Sequence, residues 1–420
     1  MLITDYLLIG ASFISIYLSL VFLLIYLANR KKIHRIPRLP KKLPKVSILV
    51  PAYNEEKTLE RTVKSLVNLN YPRNLLEIII INDGSTDRTG EIANLLARKF
   101  RIVKALHKKN GGKASALNFG LKHAKGELIV VMDADSYVEK NALIKTVGYF
   151  NDPKVSAVAT SVKVSRPRNI LQKLQWYEYL FNIFYRKIQA FIDSVLVIPG
   201  PFGIYRKSVL EKLGGFDEKN ITEDMEITLR LQKHGYRIET SDTVFTYTES
   251  PKTLRGLINQ RIRWYRGYLI NARKYKELFF NPKYKDFGMF MMPSYIITVM
   301  LSLIVIVSSV YAITRDLTRN LISYLYAKYV PISISIPQIQ ENLSLTPLYL
   351  GITSISSFLI LVFFGMLLYI SLKISKEKIK NKKEAFNLLI FAFIYFYILG
   401  YTWIMSIIKE LIRERPKWYE

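Results

Sequence analysis

Leu128-Ile129-Val130-Val131-Met132-Asp133-Ala134-Asp135 is the stretch on which the fold of this chain turns. Five apolar residues without alternation read as a strand covered on both faces, because a half-exposed strand would interleave polar positions. Two carboxylates at its exit, one residue apart, can reach a single octahedral cation whose other ligands are often substrate phosphates. A surface turn or a helix cap is the plainer reading of the same triplet.

Working outward, strand and helix patterns alternate. Val46 to Pro51 is an apolar strand and Glu55 to Leu69 has helical spacing. Leu76 to Ile81 is a second strand ending in Asn82-Asp83-Gly84-Ser85, and Asp87 can cap a helix running to Lys99. Arg101 to Leu106 reads as a third strand, Lys113 to Ala124 as a helix, and Glu127 to Met132 as a fourth strand. This order predicts an α/β domain with a mostly parallel, Rossmann-like sheet. Ligands bind beyond the carboxyl ends of such strands, where Tyr53-Asn54-Glu55, Asp83-Gly84-Ser85 and Asp133-Ala134-Asp135 all fall.

The chain has 420 residues, a formal charge of +28 from 61 Lys plus Arg against 33 Asp plus Glu, and no cysteine. Disulfides, zinc–thiolate sites and thiol nucleophiles are thereby excluded. Four histidines without paired spacing argue against a histidine-rich metal site. Such a charge on a soluble protein would point to nucleic acid. Here the basic residues flank hydrophobic segments, so anionic lipid head groups and a phosphorylated substrate account for them, and no nucleic-acid partner is expected.

Four segments are long enough to cross a bilayer: about 7–28, 287–313, 348–372 and 385–408. The first is followed by Arg30, Lys31, Lys32 and Arg35. It reads as an anchor with the following domain on the cytoplasmic side, not as a cleaved signal. Six lysines between Lys373 and Lys383 place the last connection on the same side. Parity then puts the C-terminus outside, against its slightly basic tail. Leu321 to Gln340 is apolar but carries Pro331 and Pro337, and reads as re-entrant or exported. The expected organisation is an anchor (1–29), a basic Pro-rich linker (30–44), the α/β domain (45–250), interfacial amphipathic helices (251–286) and a C-terminal membrane region (287–420) of about three spans. In 253–280 arginines alternate with aromatic residues, as in a helix lying at the bilayer interface with its cations among head groups.

Three further patterns carry chemistry. Asn110-Gly111-Gly112-Lys113 opens a helix, where backbone N–H groups and one ammonium suit an anion. Thr222-Glu223-Asp224 starts another; the acids favour the positive helix end, or one is a general base for a hydroxyl. Gln260, Arg263 and Trp264 share a helical face suited to a leaving diphosphate and a stacked sugar ring.

Taken in order, Pro51-Ala52-Tyr53-Asn54-Glu55, Asp83-Gly84-Ser85, Asp133-Ala134-Asp135, Thr222-Glu223-Asp224 and Gln260-Arg261-Ile262-Arg263-Trp264 resemble the processive membrane-bound family 2 glycosyltransferases. These include cellulose, chitin, hyaluronan and poly-N-acetylglucosamine synthases. The resemblance covers roughly residues 45 to 280. It implies a GT-A fold, a UDP-sugar donor, Mg²⁺ or Mn²⁺, and inversion at the anomeric carbon. By the same resemblance Tyr53, Glu55 and Asp83 contact the nucleoside and Lys113 the nucleotide. Asp135 is implied as the metal ligand, with Asp133 on ribose or metal. Asp224, beside Glu223, is implied as the base, and Gln260, Arg263 and Trp264 as the diphosphate and acceptor-sugar site. Pro199 to Arg206, with Gly200, Phe202 and Arg206, is similar to the acceptor segment of hyaluronan and chitin-type synthases. Thr253 to Leu257 looks more like poly-N-acetylglucosamine synthases, and both cues favour an N-acetylated amino sugar. The relatives usually have more spans, which leaves a thinner channel, a homo-oligomer, or transfer of one sugar to a lipid as alternatives to polymer export. An inactive scaffold is disfavoured because every expected acidic position is present.

Overall fold

The computed structural model describes residues 3–329 and 346–414. Met1–Leu27 with Ser294–Tyr369 form one compact unit, and Ala28–Pro293 with Ile370–Glu420 form another.

The second unit is built on one eight-stranded sheet in the order β3-β2-β1-β4-β7-β6-β8-β5. Its strands are β1 (Val46–Ala52), β2 (Leu76–Asp83), β3 (Val103–Lys108), β4 (Leu128–Val131), β5 (Tyr137–Val138), β6 (Val155–Val164), β7 (Gly203–Arg206) and β8 (Arg237–Thr248). β1 pairs in parallel with β2 and β4, and β2 with β3. Every residue of β1, β2 and β4 is buried, as their mainly apolar, non-alternating sequences require.

The helices are α1 (Ile3–Asn29), α2 (Leu59–Val67), α3 (Thr89–Lys99), α4 (Lys113–His123), α5 (Ala142–Thr146), α6 (Ile170–Phe191) and α7 (Lys207–Lys212). They continue with α8 (Glu223–Lys233), α9 (Leu254–Lys274), α10 (Met292–Tyr329), α11 (Thr346–Ile374), α12 (Lys382–Ile390) and α13 (Phe396–Leu411). One face of the sheet packs Ile48, Ile78, Ile80 and Val130 against residues of α2, α3 and α5. The other packs Leu49, Ile79, Ile129 and Val131 against α4, α7 and α8. The helix expected from Glu55 starts only at Leu59. Residues before it are held as loop: Asn54 has a left-handed φ of 54°, and the Glu55 N–H donates to Thr89 Oγ1 at 2.7 Å.

Beyond β4 the sheet changes sense. β7 runs antiparallel to β4 and β6, which brings Gly203 opposite Val131 and Arg206 opposite Leu128. The turn before β7 therefore lies beside Asp133 at the carboxyl end of β4, where the strand order also reverses.

Among the described residues, four helices are long and apolar enough to cross a membrane: Tyr6–Lys32, Phe287–Tyr326, Ser354–Ile374 and Lys382–Leu411. In the first unit α1, α10 and much of α11 carry exposed apolar side chains such as Phe13, Leu317 and Phe358. The segment expected to be re-entrant from Leu321 is helical through Tyr329; its remainder lies outside the described residues.

Candidate active site

The carboxyl ends of β1, β2 and β4 converge as the sequence implied, but the side chains divide the work differently. Asp83 is buried. Its carboxylate accepts from the N–H groups of Gly111 and Gly112, at 3.1 and 2.7 Å, and from Lys108 Nζ at 2.6 Å. The anion at the glycine-rich start of α4 is thus the protein's own Asp83, where the sequence suggested a nucleotide contact from each partner separately. Tyr53, at the mouth of β1, remains 39% exposed.

Lys113, first residue of α4, reaches 2.5 Å from Asp133 Oδ1 and 3.0 Å from Glu223 Oε1. Burial works against its charge, yet Asp133, Glu223 and Asp224 more than offset that and hold the ammonium protonated. A Cβ at Gly200 would sit 2.7 Å from both Asp133 Oδ2 and Lys113 Nζ. Only a glycine there leaves room for the ion pair, which places Gly200 in the site.

Asp135 takes hydrogen bonds from Ser136 Oγ at 2.8 Å and, more weakly, Thr248 Oγ1 at 3.4 Å. Burial first, and then Asp133, push its carboxyl up to about 7. Burial also raises Glu55, with Asp133 and Asp87 adding to it against a hydrogen bond from Thr58. Crowded, desolvated carboxylates of this kind fit a hard divalent cation, whose charge relieves their repulsion. Among the described residues no three His, Asp or Glu side chains converge on one point. Asp135 and Asp133 would therefore share such an ion with ligands from a bound substrate.

The adjacent acids Glu223 and Asp224 open α8 and are driven apart. Burial opposes ionisation of Glu223, but Lys113 and then Arg263 outweigh it and hold its carboxyl low. Asp224 is pushed up to about 6 by burial and by the charge of Glu223, with Lys113 and Arg263 pulling the other way. One acid is thus a fixed anion and the other is poised to exchange a proton near neutral pH.

Helix α9 supplies the third wall. Arg263 Nη1 donates to the Ile221 carbonyl at 3.1 Å, beside the start of α8. Arg261, read from the sequence only as one of the interfacial cations, organises its neighbours. It is fully buried, pairs with Glu178 at 2.6 Å and donates to Gln260 Oε1 at 2.5 Å. Its guanidinium also lies 4.1 Å from the Trp264 ring centroid. Gln260 and Trp264 are held by Arg261, and Glu178 in turn accepts from Tyr395 Oη at 2.6 Å. Arg186 of α6 is a second residue that the sequence did not assign to the site. Burial brings it down to about 10, and Asp224 is the acid that opposes the shift.

Helices α8 and α9 are locked to each other. A Cβ at Gly267 would lie 2.3 Å from the side chain of Thr222, which caps α8 and packs directly on the α9 backbone. Buried Glu226 accepts from Arg230 at 2.5 Å, Lys274 at 2.8 Å and Tyr275 Oη at 2.5 Å.

Two expected residues lie elsewhere. Arg206 sits at the other end of β7, opposite Leu128, and donates to the carbonyls of Val155 at 2.7 Å and Phe150 at 2.6 Å, away from the carboxyl end of β4. Phe202, with a left-handed φ of 60°, is buried in the core beside Ile204 and Val244. It anchors the turn that presents Gly200. Two arginines of α9, Arg261 and Arg266, are buried and face inward, away from any head groups. Arg266 pairs with Glu410 at 2.7 Å, and Tyr265 stacks on Trp403 at 4.1 Å.

Residues 47–214 match the family model described as glycosyl transferase family 2. Residues 47–214 form a family 2 glycosyltransferase domain. Among curated relatives, the probable glycosyltransferase YdaM of Bacillus subtilis is 38% identical over 58% of this chain and 60% of its own length. The poly-beta-1,6-N-acetyl-D-glucosamine synthase of Staphylococcus aureus is 34% identical over 53% of this chain and 54% of its own length. The chain thus matches little more than half the length of these relatives. A solved mannosyltransferase from Pyrobaculum calidifontis, in complex with GDP-Man and Mn²⁺, aligns over 97% of this chain and 100% of its own, with a TM-score of 0.62 and 21% identity. That likeness establishes the GT-A architecture of the glycosyltransferase domain.

Proposed function

We propose that this glycosyltransferase moves a hexose, with inversion, from a nucleotide sugar to a hydroxyl of a growing polysaccharide. Its catalytic unit would stand at the cytoplasmic membrane face. The observation that carries the chemistry is the split between Asp224 and Glu223 across Lys113 and Arg263. Asp224 takes the proton of the acceptor hydroxyl as that oxygen bonds to the anomeric carbon. The bond from that carbon to the nucleoside diphosphate breaks on the opposite face, and Arg263 and Lys113 offset the charge that collects on the leaving group. A divalent cation held by Asp135 and Asp133 would add Lewis-acid neutralisation of the diphosphate. Single displacement needs one base, so Glu223 can remain an anion that fixes Lys113. Trp264, laid flat by Arg261, offers a face on which an acceptor sugar stacks.

UDP-N-acetylglucosamine is the donor we favour. Support comes from the pre-α9 sequence cue, Thr253 to Leu257, and from the printed name of the staphylococcal relative. Transfer of a single sugar to a lipid is the second reading, favoured by the small number of candidate spans. The test is nucleoside diphosphate release by the purified full chain from a panel of UDP- and GDP-sugars, with Mg²⁺ or Mn²⁺, followed by product sizing. Polymer from UDP-N-acetylglucosamine supports the first reading. A single-sugar glycolipid product supports the second, and no release with any donor refutes both.

A further inference from the structure

The last apolar segment, Lys382–Leu411, is long enough to span a bilayer, yet it is fastened to the catalytic unit along its whole length. Near its start Glu384 pairs with Lys173 of α6 at 3.0 Å, and its carbonyl accepts from Tyr177 Oη at 2.7 Å. Midway, Tyr395 bonds Glu178. Near its end Trp403 stacks on Tyr265, and Glu410 pairs with Arg266. From Glu384 to Glu410 the helix runs about 39 Å at roughly 1.5 Å per residue. That exceeds the ~30 Å hydrocarbon core. A crossing helix would carry Lys173, Glu178, Arg261 and Arg266 through the bilayer with it, at a cost of about 3 kcal/mol or more for each charge at the centre.

The surface it turns outward is nevertheless apolar. Phe386, Leu389, Phe393, Tyr397, Tyr401 and Ile408 recur at helical spacing and are exposed, while Asn387, Thr402 and Ser406 face the protein. This reverses the pattern of a water-exposed helix. Exposed Lys378, Lys380, Lys382 and Lys383 precede the stripe, and exposed Arg413 follows it. We propose that α12–α13 does not cross the membrane. It lies in the plane of the bilayer surface, with the apolar stripe in the acyl boundary and the flanking cations on anionic head groups. Three crossing helices then remain, α1, α10 and α11. Arg413 then lies on the catalytic side, where the positive-inside rule favours a cation. This inference is independent of donor and acceptor.

The chain has no cysteine, so single cysteines report without background. Lys99→Cys on the catalytic unit, Lys378→Cys before the segment and Arg413→Cys after it are to be labelled with an impermeant maleimide in sealed vesicles containing phosphatidylglycerol. All three are expected to label from one face, with Arg413→Cys no slower than Lys99→Cys by more than about twofold. Arg413→Cys reacting only from the face opposite Lys99→Cys overturns the proposal. In the same vesicles a fluorophore on Phe393→Cys should lose more than half its emission to spin-labelled lipid, while one on Lys99→Cys keeps it. An unquenched Phe393 probe would mean that a second copy or another protein covers the stripe, and would equally overturn it.

Discussion

Titration of a single acid should govern the rate of this enzyme on the acidic side. Asp224 stands at about 6, and a general base works only when deprotonated. The limb of kcat/KM should therefore be half-maximal near pH 6, about one tenth of its plateau at pH 5, and flat above roughly pH 7.5. The neighbours fix the direction of each displacement. Arg263 lowers the Asp224 pKa, so Arg263→Gln should carry the limb to higher pH; Glu223 raises it, so Glu223→Gln should carry it lower. Asp224→Asn should remove the limb and cost about 10² to 10⁴ in kcat, with nucleotide affinity retained. The assay is initial-rate nucleoside diphosphate release in overlapping buffers from pH 4.5 to 9, at saturating Mn²⁺. An Asp224→Asn protein with kcat within a few-fold of the parent, or one that keeps the same acidic limb, would refute the assignment of the base.

Three other outcomes follow from contacts described above. Asp135→Ala should abolish the metal-dependent part of nucleotide affinity in calorimetry, and equal affinity with and without chelator in the parent would contradict its ligand role. Glu178→Gln leaves the guanidinium of Arg261 buried without its carboxylate, so a loss of about 3–5 kcal/mol and a changed Trp264 emission are expected; an unaltered melting temperature would speak against that pairing. Gly267→Ala sets two magnitudes against each other. Helix propensity favours Ala by about 1 kcal/mol, but a Cβ 2.3 Å from Thr222 meets a side chain already bonded to Asn271 at 3.1 Å. Overpacking of that kind costs about 1–3 kcal/mol, so the variant should melt lower, and a higher melting temperature would show that α9 can yield.

The parallel half of the sheet was open to reading because β1, β2 and β4 are mainly apolar runs, broken only by Ser47 and Glu77, that end in turn residues. The other half was not. β6 mixes Ser156, Thr160, Ser161 and Lys163 with small apolar residues yet is buried throughout, so neither period nor hydropathy marks it. β5 has two residues and exists only through its pairing with β8. Strand direction carries no sequence signal either, which is why Arg206 and Phe202 looked like acceptor contacts. An antiparallel β7 turns one toward the far end of the sheet and the other into the core. Of the site, the order of the acidic turns was legible, but which acid pairs with Lys113 and which arginine is buried depends on approach of α4, α8 and α9 in space.

Glu226 and the close approach at Gly267 have one more consequence. Asp224 and Arg263 ride on two helices fastened to each other where α8 begins, so the gap between the proposed proton acceptor and leaving-group clamp is set by the fold. A lengthening chain would have to slide past this rigid frame one unit at a time, and a lipid-borne hydroxyl would be lifted into it and withdrawn. Either way the enzyme acts as a fixed gauge, and selectivity becomes a matter of which hydroxyl can be offered at one unvarying depth.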